Sequence, residues 1–153
     1  MRLNWLLAIV VGGPLLGCGG DSSQELAALE AQVVDVSAMT FTSNATPALD
    51  LRVDDADRAQ AAYAATLALP TMPGGIYHCP IDFGVDYHVV FLDGKGGIVL
   101  ATDVDPNGCQ TVTLSGTSIP SRWAAEAAAY WQQLATSLSI DETQIYPHLP
   151  SSS

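Results

Sequence analysis

Between Val85 and Phe91 the chain alternates: Val85, Tyr87, Val89 and Phe91 share one parity, and Asp86, His88 and Val90 the other. A period of two sends each set to its own face of an extended strand, so this stretch predicts a strand with one buried face. Asp93, Gly94, Lys95, Gly96 and Gly97 follow, a composition that favours tight reversal and predicts a hairpin. The returning strand is expected over 98–103. A further turn at Pro106, Asn107 and Gly108 leads to a third strand over 109–114. Strands joined by such short turns make an antiparallel meander, and its apolar face needs a cover.

The rest of the sequence supplies that cover. Val34, Val36 and Ala38 alternate loosely within 33–41, and Leu49, Leu51 and Val53 alternate with Asp50 and Arg52, both in the manner of strands. Asp54 is a suitable N-cap for a helix with Asp57 in its first turn. That helix is expected to run to about Leu69, with Ala59, Ala62, Tyr63, Thr66 and Leu67 along one face and Pro70 ending it. Pro120 suits the first turn of a second helix, whose apolar face would hold Trp123, Ala127, Tyr130, Trp131, Leu134 and Leu138. These two tryptophans read as core rather than as a cofactor box. The coarse order is β-α-β-β-β-α. The fold class expected is therefore α+β: a small antiparallel sheet with helices packed on one face, formed by 33–148 as a single domain, with 149–153 a loose tail.

The first residues carry an address. Met1 and Arg2 precede an apolar run from Leu6 to Val11, then Gly12, Gly13, Pro14, Leu15, Leu16, Gly17 and Cys18. A positive start, a short apolar run and small residues near a cut site are the layout of a secretory signal. The run is shorter than the roughly 20 apolar residues a bilayer span needs. Leu15, Leu16, Gly17 and Cys18 resemble the lipobox of bacterial lipoprotein precursors. The resemblance implies removal of a 1–17 signal peptide, diacylglycerol on the Cys18 sulfur and acylation of its amine, with 18–32 left as a lipidated tether that includes a short helix. Two or three acyl chains anchor stably where one is marginal. Gly19 resembles the outer-membrane sorting state of enterobacterial lipoproteins. The expected location is thus outside the cytoplasm, on the bacterial cell membrane or the outer membrane.

In an exported chain, the two remaining cysteines, Cys79 and Cys109, most simply form one disulfide. A zinc site would need further ligands at close spacing, and Cys79 has only His78 beside it. The run from Leu69 to Pro80, with Asp82 and Gly84, is similar to a stretch of uncharacterised exported proteins of high-GC bacteria, and the similarity extends to Gly108, Cys109 and Gln110. It supports the same pairing and points to no particular activity.

Charge narrows the partners. The chain has a formal net charge of −11, and beyond Arg2 its basic residues are Arg52, Arg58, Lys95 and Arg122. Such a surface has no electrostatic footprint for nucleic acid. It is also repelled by anionic lipid, so membrane attachment is expected to come through the lipid on Cys18.

The chemistry-bearing candidates are few. Asp103, Asp105 and Asn107, with Gly108, match the start of a calcium loop, where alternating oxygens wrap a hard cation. The closing glutamate is missing, since Leu114 stands there, so an ordinary turn is the expectation. His78, Asp82, Asp86 and His88 have the residue types of a metal or acid–base site, but read as a solvated polar face. There is no Gly-x-Ser-x-Gly elbow, His148 sits in a Pro-flanked tail, and the glycines around Lys95 lack the spacing of a phosphate loop. The sequence predicts no cofactor, no metal and no enzyme, but a non-catalytic binding or envelope-structural module with a protein or small-molecule partner. One alternative is a small extracytoplasmic hydrolase or metal-dependent enzyme built on His78, Asp82, Asp86 and His88. Another is a protease-inhibitor-like protein with a bait loop near Pro80.

Overall fold

Six strands form one antiparallel sheet in the order β2-β1-β3-β4-β5-β6. They are β1 (Val33–Thr40), β2 (Asp50–Val53), β3 (Val85–Leu92), β4 (Ile98–Val104), β5 (Thr111–Ser115) and β6 (Arg122–Trp123). The protein is described from a computed structural model that covers residues 26, 29–40, 49–79 and 85–145. Three helices accompany the sheet among the described residues: α1 (Ala56–Ala68), α2 (Ala128–Leu138) and α3 (Glu142–Ile145). The fold is α+β, as the sequence predicts.

Register explains why one face of the sheet is dry. Val34 lies opposite Phe91 and Val36 opposite Val89. Phe91 in turn faces Leu100, Val89 faces Thr102 and Tyr87 faces Val104. Thr102 and Val104 then meet Leu114 and Val112. All of these are buried. Because strand side chains alternate, a one-residue slip would send the whole set to water, and this pins the register. Thr102 keeps its place there by donating to the Val89 carbonyl at 3.3 Å. The register shifts between Phe91 and Leu92, which moves Leu92 opposite Ile98 and leaves Val99 as a bulge.

Helices α1 and α2 cover this face. Tyr63 of α1 meets Phe91 edge-on, with ring centroids 5.4 Å apart. In α2, Tyr130, Trp131, Leu134 and Leu138 are buried, and the Trp131 indole donates to the Ala124 carbonyl at 3.1 Å. Arg58, in the first turn of α1, donates to the Thr136 carbonyl at 2.9 Å and to the Ser139 hydroxyl. A cation on the last carbonyls of α2 also opposes the helix dipole. The core extends upstream of Val33, because Ala31 is buried and its amide donates to Gln60 Oε1 at 2.8 Å.

Several boundaries differ from the sequence reading. Asp55, rather than Asp54, caps α1, accepting from the Arg58 amide at 3.1 Å. Two strands precede α1, where the coarse order has one. Residues 120–127 do not open a helix: Trp123 belongs to β6, and α2 begins at Ala128. Backbone pairing of Arg122 and Trp123 with Val112 and Thr111 overrides the helical spacing there. The third strand starts at Thr111, because Gln110 has φ 52° and turns the chain out of extended geometry. The signal peptide, Cys18, most of the tether, Asp82, His148 and the 149–153 tail lie outside the described residues.

Phe91 is the central side chain of the dry face, 0% exposed. Phe91→Ala is expected to lower stability by about 3–5 kcal/mol, read from the midpoint of a urea transition. At the β3–β4 turn, backbone amides of Gly97 and Lys95, each 2.8 Å from Asp93 Oδ1, hold that carboxyl below its usual pKa. A folded-state pKa that is depressed contributes stability above the unfolded value, and that contribution is lost as pH falls through the folded value. Thermal melts below about pH 4 should therefore show a steeper acid-induced fall for the parent chain than for Asp93→Asn. Parallel curves would remove this role for Asp93.

Candidate functional site

The β4–β5 connection folds back tightly on itself. Asp105 Oδ1 accepts from the Asn107 amide at 2.8 Å, the Asp105 amide donates to the Thr111 carbonyl at 2.9 Å, and the Gln110 amide donates to the Asn107 carbonyl at 2.8 Å. Gly108 has φ 43°, and a Cβ added there would lie 2.9 Å from Asp105 Oδ2, so the turn requires glycine on two counts. The turn presents Cys109 to Cys79, and the two form a disulfide with their Cα atoms 4.8 Å apart. The predicted pairing is present.

Cys79 lies in an exposed segment without regular structure that follows α1. An antiparallel bridge between Thr71 and Arg122, and the Met72 amide donating to the Ser121 carbonyl at 2.9 Å, fix its start against β6. Within it the Tyr77 hydroxyl donates to the Pro73 carbonyl at 2.6 Å. Across from it the Trp123 indole donates to the Cys109 carbonyl at 3.2 Å. The two rings stand with centroids 6.1 Å apart and planes inclined at 50°. Together with His78, the disulfide, Gly108, Gln110 and Ala125 they line a cavity of about 310 Å³. Both rings have their polar atoms turned to backbone carbonyls, so they offer apolar faces to whatever enters. The lining includes neither a carboxylate nor a lysine or arginine.

A second concavity lies on the sheet face opposite α1 and α2. It measures about 350 Å³ and is lined by Asp35, Ser37, Asp50 and His88 beside Val36, Val90, Leu92 and Ile98. His88 Nδ1 is 2.7 Å from Asp103 Oδ1, and Ser115 donates to Asp103 Oδ2 at 3.0 Å. Arg52 bonds both Asp35 and Asp54 at 3.0 Å. These pairs are more than a third exposed, so water and salt weaken them.

This geometry separates residues that the sequence offered as one cluster. His78 lines the disulfide cavity, whereas His88 faces the open sheet surface and pairs with Asp103. Asp86 shares His88's parity on β3, and Asp82 lies outside the described residues. The oxygens of the calcium-like run also part company. Asp103 is committed to His88 and Ser115, Asp105 to the Asn107 amide, and Asn107 Nδ2 to the Val85 carbonyl at 3.5 Å. Among the described residues no group of three His, Cys, Asp or Glu side chains is placed to hold a metal ion. Tyr77 and Trp123 were not singled out together by sequence. The signal was Tyr77 two positions before Cys79, and it was hidden because the helical spacing assigned Trp123 to a core stripe. No family model matches the chain, and neither curated proteins nor solved structures show a match to it.

The disulfide closes a loop of 30 residues. Replacing both Cys79 and Cys109 by serine should cost about 3–4 kcal/mol by the chain-entropy relation, measured by denaturant unfolding against the oxidised parent. A loss under about 1 kcal/mol would mean that the bridge braces the Tyr77 segment alone and leaves global stability to the sheet.

Proposed function

We propose that the protein is a lipid-anchored extracytoplasmic binding module: exported, cut before Cys18, held at a bacterial membrane by the lipid on that residue, and taking its ligand in the Tyr77–Trp123 cavity. The observation that carries the binding half is a cavity whose two aromatic walls are fixed in advance. Each ring is hydrogen-bonded to a backbone carbonyl, and the Cys79–Cys109 bridge ties the segment that bears Tyr77 to the residue whose carbonyl accepts from Trp123. Walls fixed before the ligand arrives reduce the ordering cost of binding. A mostly apolar concavity of a few hundred Å³ with a few polar groups is the usual form of a small-molecule site.

The anchoring half rests on the lipobox resemblance and on charge. With a formal net charge of −11 the chain gains nothing from anionic lipid surfaces, so the acyl chains must supply the attachment. Binding is favoured over chemistry because His78 and His88, two of the four residues of the enzymatic alternative, line different concavities.

Cys18→Ser decides the anchoring half. In a bacterial host fed radiolabelled palmitate, the parent chain should carry label and sediment with membranes. The variant should carry none and keep its signal peptide uncut by the lipoprotein pathway. Label or membrane retention that persists without Cys18 would overturn the assignment.

A further inference from the structure

We infer that the Tyr77–Trp123 cavity binds a quaternary ammonium group, such as the head of choline or a trimethylated amine. The inference rests on the reading of the protein as a binding module and names the ligand class for that same cavity.

Four observations select this chemistry. An aromatic face attracts a cation within about 6 Å of the ring centre, and here two inclined rings share one cavity. Inclined walls leave a wedge that a rounded group can fill in contact with both rings. The lining has no lysine or arginine to hold an anion, and the protein as a whole, at −11, draws cations toward it. A primary ammonium or guanidinium needs acceptors for each of its protons. The carbonyls of Pro73 and Cys109 each already accept one hydrogen bond, from Tyr77 and Trp123, which leaves each a single lone pair to offer. A quaternary ammonium has no N–H and needs none of them. Its apolar methyl surface suits the disulfide and Ala125, and a cavity of about 310 Å³ accepts the head group with a short chain behind it. His78 and Gln110 are the polar residues of the lining.

The full chain in non-ionic detergent, titrated calorimetrically with choline chloride at constant ionic strength, should show saturable binding with Kd on the order of 1 mM. Its neutral isostere 3,3-dimethylbutan-1-ol should bind about three- to thirty-fold more weakly. Tyr77→Ala removes one exposed wall without touching the core, and should weaken choline binding by a similar factor. Trp123→Phe, which keeps a ring but a poorer cation acceptor, should fall between parent and Tyr77→Ala. Equal affinity for choline and the isostere would make the cavity a plain apolar pocket and overturn the inference. So would binding unchanged by Tyr77→Ala, or no saturation at all. Acyl labelling at Cys18 is independent of all three, so failure here is distinguishable from failure of the anchoring assignment.

Discussion

The register between β1, β3 and β4 is the constraint on which the rest depends. It brings Val34, Phe91 and Leu100 into one row, and Val36, Val89 and Thr102 into the next, so one face of the sheet is continuous and apolar. Such a face cannot remain in water, and burial of each large side chain on it contributes about 1.5–3 kcal/mol. Helices α1 and α2 are held there by what the face needs more than by their own propensity. α2 has no side-chain cap at its start, yet Trp131, Leu134 and Leu138 bury it against the core. The opposite face is left to polar pairs such as His88 with Asp103 and Arg52 with Asp35.

The cavity is a consequence of where this sheet ends. β6 contributes only Arg122 and Trp123, pairing with β5 long enough to place one indole at the rim. Beyond β6 the Ala124 amide donates to the Gln110 carbonyl at 2.8 Å, so the chain leaving the sheet is tied to the turn that bears Cys109. On the other side Thr71 bridges to Arg122, and Arg122 Nη1 donates to the Leu69 carbonyl at 3.3 Å. The segment carrying Tyr77 is thus fastened at its start by β6 and at Cys79 by the disulfide. Two fastenings fix the separation of the rings without any regular secondary structure in between, which is how loops come to hold binding groups on a rigid scaffold.

Much of the fold was legible in the sequence because period-two alternation and burial agree over β3 to β5. Val85 to Phe91, the Asp93–Gly97 turn and the face of α1 from Ala59 to Thr66 all lie where their patterns put them. The disulfide was legible from residue count together with the expectation of export. Trp123 was misplaced for a physical reason: Trp123, Ala127, Tyr130 and Trp131 satisfy a helical spacing, but hydrogen bonds to β5 and to the Pro70 carbonyl take the backbone first. Gln110 was equally opaque, because a left-handed residue other than glycine leaves no mark in hydrophobic patterning. The candidate site sets Trp123 against Tyr77 beside the disulfide, so the sequence pointed to its brace and not to its walls.

Charge connects the cavity to the proposed anchor. An acidic protein near an anionic leaflet is pushed outward within a Debye length of about 8 Å at physiological salt, so in the proposed arrangement the lipid on Cys18 supplies the attachment. Attachment of that kind does not draw on surface charge and leaves the surface free to be strongly acidic. Its field concentrates small cations around the molecule over that same short range. The cavity itself carries no carboxylate, so a cation that enters loses little by leaving a charged partner behind and is held by ring faces instead. Selection then follows from desolvation: a strongly hydrated metal ion or primary ammonium would surrender water ligands for walls that are mainly ring face, whereas a methylated ammonium surrenders few. On this reading the general acidity draws in cations of every kind, and the two fixed rings decide which of them stays.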